Sequence, residues 1–369
     1  MKIAWITYDF EEYSILHANA LAEDHQVLLL MPNSSSEDYP ISEKLELALF
    51  EKPRMRQPLR QWRSIRNLMR TIEDFTPDVV HLQQGHLWFN FAIPTLRKKY
   101  PLVLTIHDPR HHAGDRDSQK TPQWVMDFGF RRANRVIVHG QSLATDVERL
   151  FGHPAENIHV IPHVAMGLQI GAEVNKASNI TLAGSTNTVL FFGRIWDYKG
   201  LETLIMAEPL ITAEIPDVKI VIAGAGDDFS KYERLMTHRD RFEVHHRWIS
   251  DEERDCFFRA ATLVVLPYHE ATQSGVVPVA YNHSKPVVAT DVGALSECVI
   301  DQKTGLLVPP RDPPALASAI VSLLKNPERM GAMGQAGKRY LTEQASPSRV
   351  AQATVQVYAA AKGMHPCAE

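Results

Sequence analysis

Two short stretches combine cations, small residues and hydroxyls at spacings suited to holding phosphate. The first is FFGRIWDYKGLETLI, residues 191–205, where Gly193 ends an apolar run, Arg194 follows, and Lys199-Gly200 opens a helical pattern. Arginine binds oxyanions bidentately and the N–H groups at a helix start face an anion, so two cations beside such a start suit a diphosphate. An ordinary loop with two solvated cations would read the same way. The second stretch is HEATQSGVVPVAYNHSKPVVATDVG, residues 269–293. Its polar turn carries Glu270, Thr272, Gln273, Ser274 and Gly275 into a short helical segment near residues 276–281. Ser274 and Gly275 would offer a hydroxyl and an uncrowded backbone N–H to an anion. Plain N-capping by Thr272 or Ser274 accounts for the same residues.

Three further segments carry reactive or charged side chains. In TIHDPRHHAGD, residues 105–115, His107 and Asp108 close an apolar run. His107, His111, His112 and Asp115 have no standard zinc spacing, and a loop histidine bonded to nearby backbone is the plainer reading. Gly140-Gln141-Ser142-Leu143-Ala144 approximates a nucleophile elbow, but the last glycine is replaced by Ala144. An N-cap role for Ser142 explains it more simply. Lys52, Arg54, Arg56, Arg60, Arg63, Arg66 and Arg70 follow one another with no acid between them, while Leu59, Trp62, Ile65 and Met69 recur at helical spacing. Such a helix either lies against an anionic membrane surface or acceptor, or packs on the core with its cations solvated. The IAGAGDD glycines are weak evidence for a dinucleotide, lacking a third glycine and the usual first βα turn.

These segments need a frame that brings strand ends together. Short β-branched runs alternate with helix-length amphipathic segments: KIAWIT, QVLLLM, DVVHL, LVLTIH, RVIVHG and IHVIPH in the first half, then TVLFFGR, VKIVIAG, FEVHHRW, LVVLPY, PVVAT and GLLVPP. Apolar strands separated by helices predict α/β architecture with parallel sheets covered on both faces. Ligands in such sheets sit outside the C-terminal strand ends, where the two phosphate candidates fall. Residues 165–187, rich in Gly, Ser and Asn, read as a linker. The predicted organisation is two successive Rossmann-like domains, over 1–164 and 188–345. A last helix over 346–369 is expected to cross back to the first.

The chain has 369 residues, 44% of them hydrophobic, and a formal net charge of −4. That balance gives no reason to expect a nucleic-acid partner. Cys256, Cys298 and Cys367 are scattered, and suggest neither zinc spacing nor a disulfide framework. The opening MKIAWITYDF lacks a signal-peptide pattern, and no apolar run reaches the roughly 20 residues that span a bilayer. The expected location is cytoplasmic, with the inner membrane face as the site of any contact through the basic helix.

With these segments in view, the sequence resembles the retaining glycosyltransferases of family 4. Their GT-B fold has two Rossmann-like doubly wound domains facing each other across a cleft, and the resemblance makes 1–164 the acceptor-side domain and 188–345 the nucleotide-sugar-binding one. GRIWDYKGLETLI is similar to that family's donor-phosphate segment. RWISDEERDCFFRAATLVVLPY and KPVVATDVGALSECVIDQKTGLLVPPRDPPALASAI are similar to what flanks its donor site, and PDVVHL, LTIHD and IPHV to its amino-terminal landmarks. The resemblance implies that Arg194 and Lys199, next to Gly193, neutralise a donor pyrophosphate. It places His107 near the donor sugar, and makes Thr272, Gln273, Ser274 and Gly275 the turn that meets the phosphates.

The resemblance has departures. The family's two carboxylates, with seven residues between them, fall here at Ala271 and Val279, with Glu270 one residue out of register. The usual glycine pair after the first strand is replaced by YDFEEYS. The ATQSGV turn is similar to a variant branch of the family. The implied activity is metal-independent, retaining hexosyl transfer from a UDP- or GDP-linked sugar to a saccharide or lipid-linked acceptor, as in surface polysaccharide or glycolipid synthesis. It needs no cofactor beyond the nucleotide sugar itself. The competing readings are a non-catalytic nucleotide-sugar-binding protein and a nucleotide-sugar epimerase on the same fold.

Overall fold

The computed structural model describes residues 1–34, 39–112, 120–167 and 187–364. It divides into two compact units. The first holds a seven-stranded parallel sheet. Its strands are β1 (Lys2–Thr7), β2 (Gln26–Pro32), β3 (Leu45–Phe50), β4 (Val79–Gln83), β5 (Leu102–Thr105), β6 (Arg135–Val138) and β7 (Ile158–Val160). They lie in the order β3-β2-β1-β4-β5-β6-β7. Near the centre β1 is apolar from Ile3 to Ile6 because helices cover both faces, and these four residues have no exposed surface.

Edge strand β3 does not appear among the apolar runs read from the sequence. In its LELALF only the end residues Leu45 and Phe50 are buried, the four between them being exposed or half-buried, and it is built from good helix formers. Residues 89–99 do not form one continuous α-helix. A 3₁₀ turn, Phe89–Ala92, leads into the helix Ile93–Lys99, with Pro94 in its first turn. The cap of the helix Gln141–Phe151 is Gly140, with Ser142 inside the first turn.

The basic segment forms the helix Pro58–Phe75. Its buried positions are Gln61, Ser64, Leu68 and Ile72. Gln61 Nε2 donates to the Pro53 carbonyl (2.6 Å) and Ser64 Oγ to that of Glu51, so both polar side chains can be buried at little cost. Leu59 and Trp62, the start of the apolar row, are 82% and 62% exposed instead.

The carboxy-terminal helix Pro347–Met364 belongs to this first unit. Thr354 Oγ1 lies 3.0 Å from His17 Nε2, and the Tyr358 hydroxyl 2.6 Å from His81 Nδ1. Lys362 pairs with Asp78 at 2.8 Å. The chain enters this unit at Gln344, two residues before the predicted 346.

The second unit holds a six-stranded parallel sheet. Its strands are β8 (Thr188–Phe192), β9 (Lys219–Ala223), β10 (Phe242–His245), β11 (Leu263–Leu266), β12 (Val287–Thr290) and β13 (Gly305–Val308). Their order is β10-β9-β8-β11-β12-β13. The helices Leu201–Glu214 and Pro313–Leu324 bury Leu204, Ile211, Leu316 and Ile320 in the same core as Val189, Ile220 and Val265. Residues 165–167, placed in the linker from the sequence, group with this unit. There the Gly167 carbonyl accepts from Asn282 Nδ2. Most of the rest of that linker lies outside the described residues, as does Asp115.

Candidate functional site

In the second unit, neighbouring strands β8 and β11 each end in one of the two candidate phosphate segments. After β8 the chain passes Gly193 (φ 119°) and Arg194, makes the 3₁₀ turn Asp197–Lys199, and enters the helix Leu201–Glu214 through Gly200 (φ 63°). After β11 it passes Pro267, Tyr268, His269 and Glu270, then the Thr272-to-Gly275 turn, into the seven-residue helix Val276–Asn282.

Backbone contacts lock the two segments together. The His269 amide donates to the Tyr198 carbonyl at 2.8 Å. His269 Nε2 lies 3.1 Å from Thr203 Oγ1 and 3.7 Å from Glu202. Burial lowers the His269 pKa, against the opposing pull of Glu202. A side chain at Gly200 would overlap the Pro267 carbonyl oxygen, and one at Gly293 would overlap that of Ala271. Glycine is therefore required where loops from separate strands touch backbone to backbone. Thr290 Oγ1 at the end of β12 donates to the Tyr268 carbonyl at 2.6 Å.

On this frame Lys199 Nζ sits 3.8 Å from the centroid of the Tyr268 ring, and the Tyr268 hydroxyl lies 3.3 Å from Ser274 Oγ. Burial raises the Tyr268 pKa, so the ring is a neutral phenol beneath the ammonium. Arg194 is exposed and close enough for its charge to oppose that rise. Ser274 is only 5% exposed, and its Oγ also accepts from the Val276 amide at 3.3 Å. The hydroxyl thus holds the turn in shape. Gln273 keeps its Oε1 buried with no hydrogen-bond partner in the described structure. Thr272 Oγ1 lies 3.2 Å from Nε2 of His112, whose ring stacks on Tyr198 at 4.5 Å. Glu270 is half exposed, with a carboxylate oxygen 3.9 Å from His112 Nδ1.

Val279, at one of the two carboxylate positions, is 3% exposed and lies where a side chain on Gly167 would meet it. Ala271 packs its carbonyl on Gly293. Sequence reasoning did not single out Tyr268, His269 or Thr290 as partners. The signal available was that all three lie at the ends of adjacent strands, where such sheets bind ligands.

His107, in the first unit, is fully buried just beyond β5. Its Nε2 lies 2.9 Å from Gln83 Oε1, its ring stacks on Phe10 at 4.0 Å, and its Nδ1 is buried with no partner among the described residues. Burial, then the neighbouring His139, His163 and His81, holds its pKa well below the usual histidine value, so the ring is neutral. His111 Nε2 lies 2.9 Å from the Thr121 carbonyl oxygen. Among the described residues no group of three or more His, Cys, Asp or Glu is arranged to hold a metal.

Known proteins share the fold, and one family model spans both candidate phosphate segments. The family model for Glycosyltransferase Family 4 matches residues 11–164, and that for Glycosyl transferases group 1 matches residues 186–326. Glycogen synthase from Mycobacterium tuberculosis is 29% identical over 310 residues, covering 79% of this chain and 71% of that protein. The structure of sucrose-phosphate synthase from Thermosynechococcus elongatus superposes with a TM-score of 0.76 at 20% identity, over 98% of each chain. Anabaena HepE in complex with UDP-glucose gives 0.71 at 18% identity, over 98% of this chain and 100% of that one. With two parallel-sheet units of the GT-B type and a glycosyltransferase family model matching each half in succession, this chain has the two-domain make-up of the GT-B glycosyltransferases and is similar to those of family 4.

Proposed function

We propose that the protein transfers a hexose, with retention, from a nucleotide diphosphate sugar to an acceptor hydroxyl. The observation that carries this reading is the Lys199–Tyr268–Ser274 chain, which joins the cationic loop after β8 to the turn after β11. Lys199 and Arg194 then face the diphosphate, whose charge grows as it departs. Fixed cations stabilise such a leaving group without reorganising. The acceptor oxygen bonds to the anomeric carbon as the bond from that carbon to the phosphate oxygen breaks. The acceptor proton passes to the leaving phosphate, so no protein base is assigned.

Thr272, Gln273 and Gly275 form the rest of the phosphate turn in this proposal, and Glu270 meets the donor sugar. His107 is assigned by resemblance as a neutral hydrogen-bonding group for the donor. The turn is read as a variant of the family's donor site in which neither Ala271 nor Val279 supplies a carboxylate. The related fold of Anabaena HepE, solved with UDP-glucose, supports UDP as the first carrier to test, with GDP the alternative. The acceptor class proposed is a saccharide or lipid-linked saccharide of surface polysaccharide or glycolipid synthesis.

A thermal-shift panel of UDP-, GDP- and ADP-sugars tests donor binding, because a ligand that binds the native state raises its midpoint. Product anomers read by NMR then test retention. Stabilisation by none of the sugars sinks the donor reading, and an inverted anomer sinks the retaining one. The burial of Val279 and the absence of a carboxylate at 271 favour one second reading, a non-catalytic nucleotide-sugar binder. Binding of donor without hydrolysis or transfer to any acceptor would support it.

A further inference from the structure

The helix Pro58–Phe75 presents to solvent a face that a buried helix would hide. Leu59, Arg63, Arg66 and Arg70 follow at i, i+4, i+7 and i+11, the spacing of one helical face, with Trp62 on its flank. All five are exposed, while Gln61, Ser64, Leu68 and Ile72 hold the opposite face against the sheet. The Arg66 guanidinium lies 5.3 Å from the Trp62 ring. Arg60 is tied to Glu51, whereas no ion pair involves Arg54, Arg56, Arg63, Arg66 or Arg70 among the described residues. Nothing between Lys52 and Arg70 carries a negative charge, in a chain whose net charge is −4.

We propose that this face docks the protein on an anionic lipid bilayer. Trp62 and Leu59 would enter the headgroup boundary, and Arg63, Arg66 and Arg70 would pair with lipid phosphates. Tryptophan suits that boundary because its ring is apolar and its N–H polar, and arginine stems can lie along apolar surface while their heads stay wet. Charge decides against a protein groove as the occupant. A patch with two apolar side chains among unpaired cations, and no acid, complements a continuous negative surface better than an apolar pocket. No described helix is long and apolar enough to cross a membrane, so the contact is peripheral.

Co-sedimentation of the full chain with vesicles tests this directly. Binding is expected to phosphatidylcholine vesicles containing phosphatidylglycerol, not to phosphatidylcholine alone, and to fade at high ionic strength. Each arginine near an anionic surface is worth about five-fold in affinity, so R63Q/R66Q/R70Q should lose on the order of 100-fold. Trp62→Ala should weaken binding by itself and should cost little stability, since the side chain is exposed. Circular dichroism checks that both variants fold. No binding to the anionic vesicles, equal binding by the triple variant, or binding only to heparin or duplex DNA would overturn the proposal.

Discussion

The ammonium of Lys199 rests 3.8 Å from the centre of the Tyr268 ring, which links the loop after β8 to the turn after β11. A cation over an aromatic face keeps its charge while its stem is held still, which is what a preorganised phosphate site needs. The tyrosine hydroxyl in turn meets Ser274, so one side chain orients both segments.

Lys199→Ala and Arg194→Ala should each lower turnover on the order of 100-fold or more, the usual loss when a transition-state donor is removed. Both residues lie on a loop, so thermal midpoints should stay close to that of the parent. Tyr268→Leu should reduce donor affinity by roughly 2- to 30-fold, the range expected for a cation–π contact. Steady-state kinetics at saturating donor would show normal turnover in both cation variants if the phosphate assignment were wrong.

The loop itself depends on Gly200. Alanine there would adopt a left-handed conformation costing roughly 1–2 kcal/mol, and its methyl would also overlap the Pro267 carbonyl oxygen. Gly152 also has a positive φ (73°), but no atom lies within 4 Å of its added Cβ. Gly200→Ala should therefore cost more stability than Gly152→Ala and also weaken donor binding. Urea titrations of the two variants, with calorimetry of donor binding, make the comparison. Equal stability losses and unchanged donor affinity would remove the close approach as a cause.

How much of this could be read in the chain depends on what each residue faces. The strands of the second sheet inside its β10 edge appear as apolar runs because both faces are covered, and the cations at 194 and 199 follow a strand end. Edge strand β3 is hidden by its half-solvated Leu-Glu-Leu-Ala pattern. The helix Pro58–Phe75 misleads for the opposite reason. Leu59 and Trp62, the start of its apolar row, face solvent, while Gln61 and Ser64 are buried because backbone carbonyls accept their hydrogen bonds. The Lys199–Tyr268–Ser274 chain joins residues from two strand ends, and no local period encodes it. Val279 shows no sign in the sequence of being closed off by Gly167, which lies in a stretch read as linker.

The first unit should be sensitive to acid. His17, His139 and His163 are buried together with His107. Burial, with neighbouring histidines adding to the effect for His17 and His139, lowers the pKa values of His17 and His139 to about 3 and that of His163 to about 4. In the unfolded chain a histidine titrates near 6.5. Above that pH both states hold the rings neutral and nothing is lost. Below it the unfolded state takes up the protons first, so stability falls with pH down to the folded-state values. At pH 5 each of the three rings costs roughly 2 kcal/mol. Scanning calorimetry should show a thermal midpoint dropping steeply between pH 6.5 and 5, and a flat midpoint over that interval would show that these rings are not buried neutral.

Glu270 offers the sharpest division between sugar and phosphate. Its carboxylate is half exposed beside the turn. A carboxylate can accept hydrogen bonds from ring hydroxyls, but it repels a diphosphate. Glu270→Gln should therefore weaken the nucleotide sugar and leave the bare nucleotide diphosphate bound nearly as before. Losing one hydrogen bond to a charged acceptor is worth about 1.5–3 kcal/mol, or roughly 10- to 150-fold in affinity. Val279 cannot take over that role. It is 3% exposed, so a glutamate at 279 would bury a charge without a partner and lower stability. Calorimetry of Glu270→Gln with each ligand separates the two terms. If the substitution weakens both ligands alike, Glu270 acts on the whole turn, and if it weakens neither, another group holds the sugar.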